Sequence, residues 1–111
     1  MIEKIILDYL SEVLTVPVYM EEPEAPPESY VVIEKTGSGR NNMICRAMIA
    51  VQSYGGTLYE AAVLNDEVKQ AMYDAVEINE ISRCELNSDY NFTDPETHRY
   101  RYQAVFDIVH Y

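Results

Sequence analysis

Near the start of the chain, Ile2, Ile5, Ile6, Tyr9, Leu10, Val13 and Leu14 recur at three- and four-residue intervals, while Glu3, Lys4, Asp8 and Glu12 fill the other side. That period predicts an amphipathic helix from Ile2 to about Leu14. Pro17 stops it, because the residue before a proline is driven out of the helical region. Val18-Tyr19-Met20 predicts a short strand. The acidic, proline-rich stretch from Glu21 to Glu28 can form neither a helix nor a central strand, and predicts a surface connector within one domain.

Ser29 to Lys35, with Tyr30-Val31-Val32-Ile33 at its centre, has the β-branched and aromatic content of a strand. A second strand is expected from about Met43 to Ser53. The two form an antiparallel hairpin whose tip, Thr36-Gly37-Ser38-Gly39-Arg40-Asn41-Asn42, reads as an extended, flexible, basic loop. Tyr54-Gly55-Gly56 then breaks the strand. Thr57-Leu58-Tyr59-Glu60 has the spacing of a capping box, Thr at the N-cap and Glu three positions on. It opens a helix of about 20 residues, roughly 30 Å long, with Leu58, Ala61, Ala62, Leu64, Val68, Ala71, Met72, Ala75 and Val76 as its apolar stripe.

A second hairpin closes the pattern. From Ile81 to about Phe92, strict alternation sets Cys84, Leu86, Tyr90 and Phe92 against Arg83, Glu85, Asn87 and Asp89. Thr93 to Thr97 is a turn, and Tyr100 to Tyr111 the last strand. The order α-β-(β-β)-α-(β-β) predicts an α+β fold: a mixed, mostly antiparallel sheet of four to five strands with two helices on one face. If Cys45, Ala47, Ile49 and Val51 face the helices, then Ile44, Met48 and Ala50 face outward, with Val105 and Val109 beside them. An open face with that much apolar character, in a chain with ten Tyr, points to a partner.

Composition narrows the function. With 111 residues and 48% hydrophobic content, residues 1–111 make one folded domain with one core. No apolar run approaches a membrane span, and Met1-Ile2-Glu3-Lys4 lacks the layout of an export signal, so synthesis and folding in a cytosol are expected. The net charge of −11 disfavours tight binding to nucleic acid or anionic membrane. Charge is also unevenly spread. Residues 1–34 hold eight acids and one base, and residues 60–97 ten acids and two bases, whereas residues 35–59 hold Lys35, Arg40 and Arg46 and no acid. Lys35, Arg40, Asn41, Asn42, Arg46 and Met48 are therefore the candidate protein-interaction residues, a cationic patch suited to acidic surface.

Candidate chemistry is sparse. Gly37-Ser38-Gly39 has phosphate-loop composition, but the element after it is a strand, not the helix whose N-terminus would hold a phosphate. Asp89 to Glu96 superficially resembles a calcium loop, yet lacks the sixth-position Gly and the twelfth-position bidentate Glu. Cys45 and Cys84 are 39 residues apart and read as small buried strand residues. His110 and Asp107 differ by an odd number of strand positions and point to opposite faces. No catalytic, metal or cofactor residue is assigned, and a non-enzymatic role is expected.

Several segments resemble the tail-terminator (tail-completion, head–tail joining) proteins of long-tailed bacteriophages and prophages. They are the N-terminal helix with Val16-Pro17-Val18-Tyr19, then Pro26-Pro27-Glu28-Ser29-Tyr30-Val31-Val32-Ile33-Glu34, then Ile49-Ala50-Val51-Gln52-Ser53-Tyr54 before a long helix, and finally Arg99-Tyr100-Arg101-Tyr102-Gln103-Ala104-Val105-Phe106-Asp107. The resemblance spans essentially the whole chain. It implies a sheet with helices on one face. It also implies a virion protein assembled into a hexameric ring on the head-proximal end of the tail tube, where it ends polymerisation and joins tail to head. The implied partners are other copies of itself, the tail-tube protein and a head-completion or connector protein, with DNA passing through the ring without tight binding. The alternatives are an acidic DNA mimic that occupies a nucleic-acid-binding protein and, less in keeping with the motifs, a small metal-dependent enzyme.

Arg40→Glu is expected to change monomer stability by no more than about 0.5 kcal/mol, as at other exposed sites. It should weaken assembly, most at low salt where repulsion is least screened. Denaturant titration and an assembly assay on the same preparation check both halves.

Overall fold

The structure is a computed structural model that describes residues 1–41 and 43–111, with only the backbone described for Asn41. It has helix α1 (Ile2–Val13), strands β1 (Val18–Tyr19), β2 (Tyr30–Asn41) and β3 (Ile44–Gly55), helix α2 (Leu58–Tyr73), a 3-10 turn (Asp74–Glu77), and strands β4 (Ile81–Asn91) and β5 (Tyr100–His110). The strands form one sheet in the order β1-β2-β3-β5-β4, with β1 parallel to β2 and every other pair antiparallel. This is the expected α+β fold, with five strands.

Both helices pack on the same face. Ile2, Ile6 and Leu10 from α1, Leu14 just after it, and Leu64, Val68 and Met72 from α2 share one buried cluster with Val31, Ile33, Ala47, Ile49, Val51, Ala104, Phe106 and Ile108 of the sheet. The alternation expected for β3 and β5 is therefore the observed one. The α2 capping box is also present. The Glu60 amide donates to Thr57 Oγ1 at 3.1 Å, and the Glu60 carboxylate accepts from the Gly56 amide at 3.1 Å. Gly55 is needed where β3 runs into α2, since a Cβ there would lie 2.5 Å from the Ala61 backbone nitrogen. At its far end α2 tightens into the 3-10 turn, and Val76, expected in the apolar stripe, is exposed, as is Leu58.

Three sequence expectations need correction. Thr36 to Asn42 is not a loose tip. Strand β2 continues through Gly37↔Met48, Ser38↔Ala47, Gly39↔Arg46, Arg40↔Cys45 and Asn41↔Ile44, with Thr36 taken up by an irregularity between Lys35 and Gly37. Backbone pairing needs no side chain, so two glycines lower strand propensity without forbidding a strand. Met43, at φ 68°, sits in the turn, and Asn42 lies outside the described residues.

The second correction concerns β4. A register shift between Leu86 and Ser88 adds one residue and exchanges the faces beyond it. Cys84 and Leu86 contact the helical side, but Tyr90 pairs with Gln103 on the open face and Phe92 packs edge-on against Tyr90. Asp89, expected among the outward residues, turns toward α2. It accepts from Asn65 Nδ2 at 2.7 Å and from Lys69 Nζ at 2.6 Å. The third concerns the thiols, of which Cys84 is buried but Cys45 only half-buried.

Burial pushes the Cys84 thiol up to about 12, which suppresses the reactive thiolate. A thiol-specific reagent at mildly alkaline pH should therefore modify Cys45 first in the native protein and both residues in urea. Equal native rates would contradict the assigned burial.

Candidate protein-interaction site

The sequence-selected residues gather at the turn end of the β2–β3 hairpin, but not on one surface. Register places Lys35, opposite Ile49, and Arg40, opposite Cys45, on the helical side. Lys35 reaches Glu3 of α1 at 3.6 Å. Lys35, Arg40 and Arg46 border a cleft of about 400 Å³ between the first turn of α1 and the hairpin. Among the described residues, no carboxylate lies within ion-pairing distance of Arg40 or Arg46. Met48 is on the opposite face, in a second groove of about 430 Å³ over Gly37, Gly39 and Val109, which Arg46 also borders. Asn41 pairs with Ile44 at the turn, and Asn42 is among the candidates but outside the described residues. Lys35 and Arg40 thus share the helical side, whereas Arg46, opposite Gly39 and Val109, starts from the face of Met48 and borders both clefts.

The open face carries a more highly built cluster. Pairing Tyr30 with Tyr54 and Tyr54 with Arg101 aligns three side chains across β2, β3 and β5. The Tyr30 and Tyr54 rings stack with centroids 4.3 Å apart and 5° between planes, and Tyr19 meets Tyr30 edge-on at 6.0 Å. Arg99 donates to the Tyr30 hydroxyl at 2.6 Å and pairs with Glu22 of the acidic connector. The Tyr30 hydroxyl donates to the same Glu22 carboxylate. Arg101 donates to the Tyr54 hydroxyl at 2.8 Å and to the Phe92 carbonyl at 2.7 Å, with its guanidinium 4.4 Å from the Phe92 ring centroid. Next along the strands, Gln52 Nε2 donates to Gln103 at 2.9 Å. A cleft of about 550 Å³ runs beside this cluster, bordered by Val32, Gln52, Glu34 and both arginines.

The cluster ties the connector to the sheet. Of the apolar residues expected to lie open on this face, Ile44 is exposed, but Ala50 and Val105 are buried, and Tyr90 and Phe92 add to the exposed apolar surface. Sequence reasoning missed Arg99 and Arg101 as site residues. Their spacing of two held the signal, since alternate positions of an extended chain share a face. Glu22 had no comparable signal, because a connector's path over a sheet is not periodic.

Asp94 and Asp89 are engaged within the fold. Asp94 caps its own turn, and the Glu96 amide it accepts at 2.9 Å holds its carboxyl below the usual carboxylate range. Asp89 faces α2, where its hydrogen bond raises Lys69 above the ordinary lysine value. Among the described residues, no three His, Cys, Asp or Glu side chains are grouped to hold a metal ion. No helix is long and apolar enough to cross a membrane. Compared with protein-family models and with curated proteins, the chain matches none.

Burial raises the Tyr30 hydroxyl above the ordinary tyrosine value, and the hydrogen bond to Glu22 raises it further. Tyr54 is also raised, by burial, against an opposing hydrogen bond from Arg101. Both groups lose their proton more readily unfolded than folded, so folding stability should fall as pH rises above about 10. Phenolate absorbance should show these tyrosines ionising later than in the urea-unfolded chain. Coincident titrations would remove the stacked pair from the account.

Proposed function

We propose that this protein is a structural subunit of a bacteriophage tail, a tail terminator whose copies close into a six-membered ring on the head-proximal end of the tail tube. One observation carries the reading. Apart from the N-terminal helix α1 and Pro26 to Ser29 of the connector, the segments whose residues resemble that family fall on β1, β2, β3 and β5, which are contiguous in the sheet. They meet on the open face at Tyr19, Tyr30, Tyr54, Arg99 and Arg101. Part of the resemblance therefore lies on one connected surface, and the rest lies in α1 and the core. The α+β architecture with helices on one face also agrees with what the family implies.

On this reading the work is geometric and not catalytic. A head-to-tail contact repeated around an axis closes a ring with two different annular faces. One face would meet the tail-tube protein and end its polymerisation, and the other would meet the head-completion protein. The surplus of negative charge suits a channel that DNA must pass without adhering. The same net charge favours an acidic DNA mimic, but the gathering of Lys35, Arg40 and Arg46 at one end weakens that alternative.

Electron microscopy of tails from cells making a tagged protein should place label at the head-proximal end, and deletion should give overlong, unjoined tails. Tails without label, with the protein instead copurifying with a nucleic-acid enzyme, would overturn the proposal in favour of the mimic.

A further inference from the structure

We propose that the cationic cleft between α1 and the β2–β3 hairpin is the docking surface for the acidic connector, residues 21–28, of a second copy of this chain. The inference rests on the self-association proposed above and names the contact that would produce it.

Connector residue Glu28 stands two positions before Tyr30, where β2 begins, and Glu21 and Glu22 border the open face beside Val32 and Glu34. The cleft instead runs from Lys35 to Arg40 on the helical side of the turn half of β2. Twelve strand residues span on the order of 40 Å, nearly the full 44 Å length of the molecule. Held to Arg99 and Tyr30 on the open face through Glu22, the connector does not meet Arg40 of its own chain. A two-fold contact between the clefts would set cations against cations. A head-to-tail contact satisfies both patches of every copy and closes into a ring or extends, whereas a reciprocal two-fold contact of cleft with connector would satisfy both patches but stop at a dimer.

The chemistry of the two patches is complementary. Lys35, Arg40 and Arg46 line the cleft, and its acid, Glu3, is already engaged by Lys35. In the connector, Glu22 is held by Arg99 and Tyr30, and Glu28 lies against Gly56. Glu21 and Glu24 are exposed and, among the described residues, without an ion-pair partner. Two acids held to the fold present two free ones. Pro23, Pro26 and Pro27 stiffen the segment, which lowers the entropy lost on docking. The contact also sets local attraction against the repulsion between copies that each carry −11.

Charge reversal in both partners tests this. The double variants Arg40→Glu/Arg46→Glu and Glu21→Lys/Glu24→Lys alter exposed residues that the fold does not use, and each should melt like the unaltered protein. Sedimentation velocity at low salt should show self-association weakened at least about tenfold in each variant alone. An equimolar mixture should recover association to within about threefold of the unaltered protein, because each reversed patch then meets its complement. High salt should weaken association of the unaltered protein. If the unaltered protein associates and either variant does so equally, or the mixture stays dissociated, this contact is wrong while the ring reading survives. If the unaltered protein associates neither in solution nor on tail tubes, both fall. Association through these patches without tail capping would keep the contact and discard the tail-terminator reading.

Discussion

The antiparallel ladder between β3 and β5 is the interaction on which the rest of the structure depends. It joins two hairpins separated by α2, and no local turn sets its register. Pairing Ile49 with Phe106 and Val51 with Ala104 belongs to a run of eleven consecutive pairs, from Cys45↔His110 to Gly55↔Tyr100, that keeps the alternation of both strands in phase. On one side lie Ala47, Ile49, Val51, Ala104, Phe106 and Ile108 under the helices, and on the other lie Gln52 beside Gln103 and Tyr54 beside Arg101. A slip of one residue would send Phe106 to the open face and Arg101 into the core, so burial of one face specifies the register strongly. Both α1 and α2 rest on this ladder or on β2 next to it, and the open-face cluster exists only because of it.

With helices on one face only, the other must be stabilised differently. Here it is covered by aromatic and guanidinium groups that keep polar atoms at the solvent side. The Tyr30–Tyr54 stack supplies apolar area, Arg99 and Arg101 supply donors to the hydroxyls, and Glu22 supplies the countercharge. Ion pairs this exposed contribute little by themselves, and Arg99 and Glu22 are each about half exposed. Their effect is positional. They fix the connector against the sheet, and thereby fix where its remaining acids project.

That positioning keeps the connector's free acids apart from the cations of the hairpin. Acidic residues cluster at the start of β2 and cations at its turn end, while Lys69 and Asp89 neutralise each other under α2. A chain of high net charge with one local reversal favours a particular orientation between copies more than it favours tight binding.

Much of this was legible in residue order. Helical period located α1 and α2, the Thr57–Glu60 box marked where α2 starts, and alternation assigned the faces of β3 and β5, because each signal depends on neighbours within a few residues. The cationic window from Lys35 to Arg46 was likewise visible as a run without acids. Tertiary structure decided the remainder. The shift at Leu86–Ser88 that moves Tyr90 and Phe92 to the open face, and Asp89 beneath α2, depends on how β4 pairs with β5. The extension of β2 through Gly37 and Gly39 depends on a partner strand able to accept their backbone groups. The union of Glu22 with Arg99 joins residues far apart in the chain through a connector that has no period. Local patterns encode which side of an element is apolar, but strand partners, bulges and loop paths are settled by contacts between distant residues, whose free energy appears only when the whole sheet forms.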